Sequence, residues 1–410
     1  MVRCDVAIVG GGPSGLAAAI QLRKAGVEHV VVLDREAEVG GIPRHCGHPP
    51  FGWPEFRRVL KGPEYASRLH EAAIAQGVDI RTKVNVVRIE SGPLLHVSTS
   101  AGLAKIEAAK VLLATGARET PRSARLVSGT RPMGVLTTGA LQSMVYLKSR
   151  KPFLRPVIVG TELVAFSALL TCRHAGIRPV AMIEERKRPT AWKSSIWLPR
   201  LLGIRSLFNT ELLSIEGKER VRGVAVRLNS GQIEQIPCDG VVFCGQFVAE
   251  STLARMGQLE LDSGCGIPVT DQFGRCSDPD IFAAGNVLHP ADSSGRCWRE
   301  GIRTASHIAR SLTGDLPSAI DTIAVESTSP TVRYVFPQRL VLDHQPTNSV
   351  SLWVKFYDEV QGTLHLKIGD RSVVSKHVRT LPEKQVQLAV SSSILSLKPT
   401  SLKLVFEPSS

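Results

Sequence analysis

Glycines punctuate the run Gly10-Gly11-Gly12-Pro13-Ser14-Gly15 near the start of the chain, and their spacing suits one chemical task, the holding of a dinucleotide diphosphate. Gly10 permits a tight turn, Gly12 lets the backbone approach a pyrophosphate, and Gly15 lets a helix pack close to the preceding strand. Pro13 and Ser14 open that helix, whose free N–H groups and positive dipole end attract phosphate. Asp34 lies nineteen residues beyond Gly15, where a carboxylate accepts hydrogen bonds from ribose hydroxyls. Arg35 beside it joins the same candidate cofactor-binding set.

Such a loop carries weight only in a strand–turn–helix context. Residues Asp5 to Gly10 form an apolar run ending in glycines, Leu16 to Lys24 continue as helix formers, and Val30 to Leu33 read as a second strand. A further strand at Val111–Ala114 ends in Thr115-Gly116. A second nucleotide-type unit opens at Val157-Ile158-Val159-Gly160, continues as a helix to His174 and reaches a strand at Val180–Ile183. Ile281-Phe282-Ala283-Ala284-Gly285-Asn286 is a strand running into glycine, followed by a helical stretch from about Arg299 to Leu312. After Ser329 the pattern becomes period-two alternation, as in Leu352, Val354 and Phe356, or Leu402, Leu404 and Phe406.

The expected fold is therefore α/β, with two Rossmann-like domains of the FAD/NAD(P)-binding type and a small antiparallel β domain at the C-terminus. The first domain is expected to be discontinuous, 1–120 and 265–328. The second spans 121–264, and the β-rich part 329–410, with a role in packing, assembly or partner docking. A length of 410 residues fits two or three domains.

The composition, 43% hydrophobic and 21% charged, is that of a globular protein. The net charge of +13 is concentrated between Arg118 and Arg155, where eight Lys or Arg residues face Glu119 alone. Such a stretch attracts nucleic acid, anionic lipid or an acidic partner; the plainer reading is a solvated basic face, and no nucleic-acid partner is expected. The N-terminal residues run straight into a strand without a leader pattern, and no window of eighteen uncharged apolar residues follows. The expectation is a soluble, cytoplasmic protein with no membrane span. Eight cysteines form no CxxC pair and no metal-type spacing, so reduced thiols and no metal site are expected.

The three separated motifs resemble those of the FAD-dependent pyridine nucleotide-disulfide oxidoreductase superfamily: the glycine loop, then Leu113-Ala114-Thr115-Gly116, then Ile281-Phe282-Ala283-Ala284-Gly285-Asn286. The resemblance implies FAD as cofactor, with Thr115, Gly116 and Gly285 at the site. By the same resemblance Gly41 and Ile42 should lie along the flavin diphosphate, Val86 should meet the adenine through its backbone, and Asn286 should face the ribityl chain. Most of the superfamily has Asp where Asn286 stands; Asn, both donor and acceptor, still suits ribityl hydrogen bonds.

Disulfide reductases of that superfamily keep a redox cysteine pair. In Gly40-Gly41-Ile42-Pro43-Arg44-His45-Cys46-Gly47-His48 the pair's places hold Pro43 and His48, so no dithiol relay is expected. Cys46 is either a small packing residue or a thiolate near the flavin. His48 is either a proton shuttle or a structural histidine bonded to backbone. Arg44 either anchors a substrate carboxylate or serves as a surface or flavin-phosphate contact.

The second nucleotide loop reads Gly160-Thr161-Glu162-Leu163-Val164-Ala165, where an NAD(P)-binding loop would need glycine at the second and third marked positions, here Glu162 and Ala165. The bulk and negative charge of Glu162 oppose a pyrophosphate, which makes NAD(P)H use doubtful. Glu184 and Glu185 stand where a ribose-reading acid could be, and Arg186, Lys187 and Arg188 either meet a 2′-phosphate or form a solvated loop.

The run Gly40 to Gly52, followed by Gly62-Pro63-Glu64-Tyr65-Ala66, is similar to that of the FAD-binding alpha subunits of opine oxidase, hydrogen cyanide synthase and hydroxyproline dehydrogenase. The resemblance implies a dehydrogenase or electron-transfer subunit that acts on a small amine, imino acid or hydroxy acid, within a homo- or hetero-oligomer. It implies a partner oxidoreductase subunit or other electron acceptor, because the last cysteine is Cys297 and no C-terminal iron-sulfur segment is present. The alternatives are an NAD(P)H-dependent flavin reductase and a non-catalytic flavin-containing assembly subunit.

Overall fold

The structure, a computed structural model, describes residues 2–342, 349–382 and 384–409. The chain forms two compact units: Met1–Gly41 with Ala66–Ala117 and Ala249–Ser410, and Ile42–Tyr65 with Arg118–Val248. Residues 42–65 thus group with the second unit and the C-terminal β region with the first. The strands at the two crossings, Ala117–Glu119 and Phe247–Ala249, pair with each other.

In the first unit a sheet runs in the order Asp79–Arg81, Val30–Leu33, Val2–Val9, Gly102–Leu113, Leu94–Thr99, Asn85–Glu90, with Ile281–Ala283 also paired to Gly102–Leu113. The continuous apolar run Val30–Leu33 is buried throughout, as a parallel strand covered on both faces must be. Val9 pairs with both Leu33 and Leu113, so three strands end level, and the glycine loop begins at that carboxyl edge, where open α/β sheets bind ligands. The helix Pro13–Lys24 packs against Ser294–Leu312; a side chain at Gly301 would collide with the Ser14 carbonyl, so the close crossing depends on that glycine.

The C-terminal strands make two sheets that share one core, among it Leu352, Val354, Phe356, Leu364, Leu366, Leu402 and Leu404. Their alternation places these residues inward and polar ones outward. One pair departs from an all-antiparallel arrangement: Thr322–Ser327, which precedes the expected start at 329, runs parallel to Ser401–Pro408.

The second unit has a parallel sheet in the order Arg205–Leu207, Ala181–Ile183, Pro156–Val159, Gly240–Phe243, Val135–Thr137, and a smaller sheet of Ile233–Pro237, Gly223–Arg227, Glu211–Glu216 and Ser128–Gly129. The helix Leu163–His174 follows the central strand and buries Ala165, Phe166, Ala168, Leu169 and Cys172. Among the described residues no helix is long and apolar enough to cross a membrane.

Candidate functional site

In the first unit all three sequence motifs converge on the glycine loop. Gly10 has φ +108°, and a Cβ there would strike the carbonyl of Ala114 in the second motif. Gly15 faces the Gly10 carbonyl with no space for a side chain. The third motif arrives through Gly285, φ +83°, where a Cβ would stand 2.8 Å from the Ser14 Cβ. Gly12 differs: the nearest protein atom to a Cβ there is the Gly41 Cα at 4.0 Å, so it borders open space. Gly41, φ +61°, closes one side of that space, and the Gly40 N–H donates to the Gly11 carbonyl at 2.7 Å. Thr115 donates its hydroxyl to the Glu250 carbonyl at 2.7 Å, and the Glu250 N–H donates to the Gly116 carbonyl at 2.9 Å.

Two observations test whether this loop fits a dinucleotide. The cradle at Gly12 is one that a Cβ would begin to fill, and the buried Ser14 hydroxyl, in the first turn of the helix, has no partner among the described residues. A buried hydroxyl calls for a hydrogen bond, and phosphate oxygens supply it. The residues fit FAD.

Asp34 is buried and fixed rather than free: Oδ2 accepts the Gly11 N–H at 2.7 Å and Oδ1 the Glu36 N–H at 2.8 Å. Carboxylate oxygens have lone pairs to spare, so Asp34 ties the loop to the second strand and keeps acceptor capacity. The Val84 N–H donates to the Asp34 carbonyl at 2.9 Å, which brings the segment carrying Val86 to the same edge; the strand register shifts just after Val86. Arg35 is exposed, 3.9 Å from Glu36.

Asn286 occupies both ends of its amide locally. Its Oδ1 accepts the Asp292 N–H at 2.9 Å, and its Nδ2 reaches the Asp292 carbonyl at 3.4 Å. An Asp could accept there but not donate; the Asn closes the 286–292 loop in both directions, a role the sequence did not suggest. Below that loop His289, 1% exposed, binds the Glu300 carboxylate, which also accepts the Gly285 N–H at 2.7 Å. Burial pushes the Glu300 carboxyl up, but His289 and Arg303 prevail and hold it below the usual range.

In the second unit a single chain of hydrogen bonds joins residues far apart in sequence. The His48 Nδ1 lies 2.8 Å from the Pro49 carbonyl, an acceptor only, so Nδ1 carries a proton, and Nε2 is bonded to the Ser167 hydroxyl. Ser167 in turn accepts the Gln142 amide at 2.7 Å, and the Gln142 carbonyl oxygen faces the Cys46 thiol at 3.6 Å. Gln142, 2% exposed, ends the short helix Thr138–Gln142, whose first turn is pinned by Glu119: one carboxylate oxygen accepts the Gly139 N–H at 2.8 Å, the other the Gly245 N–H at 3.0 Å. Gly47 lies against the Tyr146 ring with no space for a side chain. Gln142 and Ser167 had no local sequence signal.

Burial pushes the Cys46 thiol up to about 12, with Glu119 adding to it. Burial thus favours the protonated thiol, which donates toward the Gln142 carbonyl oxygen. Burial, then the Arg44 charge, pushes the neighbouring His45 down to about 4. Arg44 is half-buried on the short 3-10 turn Ile42–His45, and Ile42 is exposed.

The second nucleotide loop is filled by its own side chains. Glu162 accepts the Gln246 N–H at 2.7 Å, and its carboxylate lies where a side chain on Gly245 would be. Thr161 binds the buried Glu184 carboxylate and accepts the Thr190 N–H at 2.9 Å, and the Ala191 N–H donates to the Thr161 carbonyl at 3.0 Å. The 184–191 segment is thereby folded onto the loop. The basic stretch is also partly spent: Arg122 donates to the carbonyls of Val127, Ser128 and Thr130, and Arg125 to those of Thr120, Cys244 and Gly245. Among the described residues no group of three or more His, Cys, Asp or Glu could hold a metal ion.

Comparison with known proteins agrees with this geometry. The sequence pattern of the pyridine nucleotide-disulphide oxidoreductases matches residues 4–310. An opine oxidase subunit from Rhizobium meliloti is 26% identical over 337 residues, 74% of this chain and 61% of that protein. The chain thus spans less than two thirds of that relative's length. A thioredoxin reductase from Mycolicibacterium smegmatis is 29% identical over 289 residues, 69% of this chain and 88% of that one. Among solved structures, T. acidophilum thioredoxin reductase superposes with a TM-score of 0.66 at 21% identity, over 76% of this chain and all of that one, a likeness of fold.

Proposed function

Because the chain belongs to the pyridine nucleotide-disulphide oxidoreductase family and is an FAD-dependent oxidoreductase, we propose that it draws electrons from a small organic substrate rather than from NAD(P)H. The substrate class is an amine, imino acid or hydroxy acid, and the chain works with a partner oxidoreductase subunit or other electron acceptor. The observation that carries this reading is the second nucleotide loop, where the Glu162 carboxylate is seated on the Gln246 N–H and would repel a pyrophosphate. No cysteine pair stands at the positions a disulfide reductase would use, which removes the other route common in this family. The similarity to a protein named as part of an opine oxidase supports both the substrate class and the partner.

Gly10, Gly12, Pro13, Ser14 and Gly15 would hold the diphosphate of FAD, with Gly41, Ile42, Asp34, Arg35, Val86, Thr115, Gly116, Gly285 and Asn286 around it. Bound FAD supplies the hydride acceptor. His48 Nε2 is the proposed base for the N–H or O–H proton of the substrate. In that role Nε2 starts unprotonated and accepts from the Ser167 hydroxyl, which must then turn, and the ring, charged with Nδ1–H still on the Pro49 carbonyl, keeps its orientation. Gln142 holds Ser167, and Cys46 holds Gln142, as positioning residues. Arg44 is the proposed anchor for a substrate carboxylate.

Anaerobic titration of the flavoprotein with amino acids, opines, hydroxy acids, NADH and NADPH tests the reading. Bleaching of the flavin by one of the small acids or amines is expected. Bleaching by a nicotinamide nucleotide alone would overturn it.

A further inference from the structure

We propose that the segment around Trp192, Trp197 and Leu201 docks the protein on an anionic lipid surface. Residues 186–210 contain six Lys or Arg (Arg186, Lys187, Arg188, Lys193, Arg200 and Arg205), no Asp or Glu, and two of the chain's five tryptophans. Glu185 and Glu211 bound this acid-free run.

The segment is held firmly while its apolar side chains are turned out. At one end the Ala191 N–H is bound to Thr161; at the other, Pro199 is buried and its carbonyl accepts the Ile204 N–H at 2.8 Å. Leu198 and Leu202 pack on the core of this unit. Trp197 and Leu201, four residues apart on the helix Trp197–Leu201, share a different face. They are 61% and 80% exposed, and Trp192 is 60% exposed. The core has thus taken its share of the segment and left three large apolar groups in water.

The surroundings select the occupant. Arg200 lies over the Trp197 ring, 5.5 Å from its centroid, and Lys187 is exposed beside the same segment in sequence. Arg205 is discounted because it is paired with Glu234. Protruding Trp and Leu with cations of one sign match the interfacial pattern, in which indole rings sit at headgroup level and Lys/Arg meet anionic lipid. An acidic protein would want a shaped apolar recess for its own anchors. One concave space of this unit, about 630 Å³, is lined elsewhere, between Pro121 and Phe243.

Co-sedimentation of the flavoprotein with vesicles of phosphatidylcholine alone and with 30% phosphatidylglycerol, at low and high salt, tests this. The expected result is at least tenfold tighter binding to the anionic vesicles, weakened by salt, with tryptophan fluorescence quenched by brominated lipid. The double variant Trp192→Ser/Trp197→Ser should lose both the quenching and at least tenfold in binding, and Lys187→Glu/Arg200→Glu should lose the preference for anionic lipid. Flavin absorbance of each variant reports that it is folded. Equal or absent binding to the two vesicle types would overturn the proposal. So would binding that survives both double variants, or an acidic protein whose capture the variants abolish while vesicles are not bound.

Discussion

Gly41 faces Gly12 so closely that a Cβ on Gly41 would stand 2.9 Å from the Gly12 Cα, yet a Cβ on Gly12 would have no protein atom nearer than 4.0 Å. The asymmetry arises because Gly12 borders open space, the proposed seat of the FAD diphosphate, and it separates folding from binding. Gly12→Ala should leave the melting temperature of the apoprotein within about 2 °C, since its backbone is extended and its surroundings open. FAD affinity should fall at least about tenfold, because the methyl occupies the path of the diphosphate. Fluorescence titration of apoprotein with FAD measures the second quantity, and unchanged affinity would remove Gly12 from the site.

Glu162 over Gly245 predicts the behaviour of nicotinamide nucleotides. NADH or NADPH at roughly millimolar concentration, the upper end of ordinary substrate affinities, should leave the flavin spectrum oxidised over minutes under anaerobic conditions.

The His48–Ser167 pair predicts a split between chemistry and binding. His48→Asn should lower kcat about 10²- to 10⁴-fold, the usual worth of a general base. Ser167→Ala leaves the ring but removes its partner, so a smaller loss is expected, together with a shift in the acid limb of the kcat/KM profile. A Ser167→Ala enzyme with an unaltered pH profile would argue that the pair is structural.

Cys46, held as a thiol with its ionisation pushed up to about 12, should resist alkylation. At pH 8 its thiolate fraction, and hence its rate with iodoacetamide, should be about a thousandfold below that of an ordinary exposed cysteine. Cys46→Ala should retain FAD and most activity. Peptide mapping after timed labelling checks the first point.

Two half-buried histidines set an acid limit on stability. Burial pushes both His45 and His307 down to about 4, with Arg44 adding to the effect at His45 and Arg303 at His307. Between pH 6.5 and 4 the unfolded chain therefore binds more protons than the folded one. The stability that neutral histidine provides is complete above the unfolded value and is lost as pH falls toward the folded one. Each histidine should account for about 1 to 2 kcal/mol of loss at pH 5. Urea midpoints at pH 7.5 and 5.0 measure the sum, and His307→Gln should flatten the difference.

What the sequence disclosed follows from how local each signal is. The strand Val30–Leu33 and the helix ending at His174 coincide with their apolar patterns, and the glycine loop stands where the level strand ends put it. The parallel pairing of Thr322–Ser327 with Ser401–Pro408 joins segments over 70 residues apart, and no periodicity encodes such a pairing. The same holds for His48: its partner Ser167 is 119 residues away, so its setting is set by tertiary packing. Asn286 was legible as a polar residue beyond a strand, but not as the clasp of its own loop, since that depends on where the Asp292 backbone returns.

Flavin content is the most direct measurement of the central claim. Protein purified under native conditions, or reconstituted with FAD and desalted, should show isoalloxazine absorption corresponding to about one FAD per chain, released on denaturation as FAD rather than FMN. Colourless protein after reconstitution with excess FAD would contradict the account.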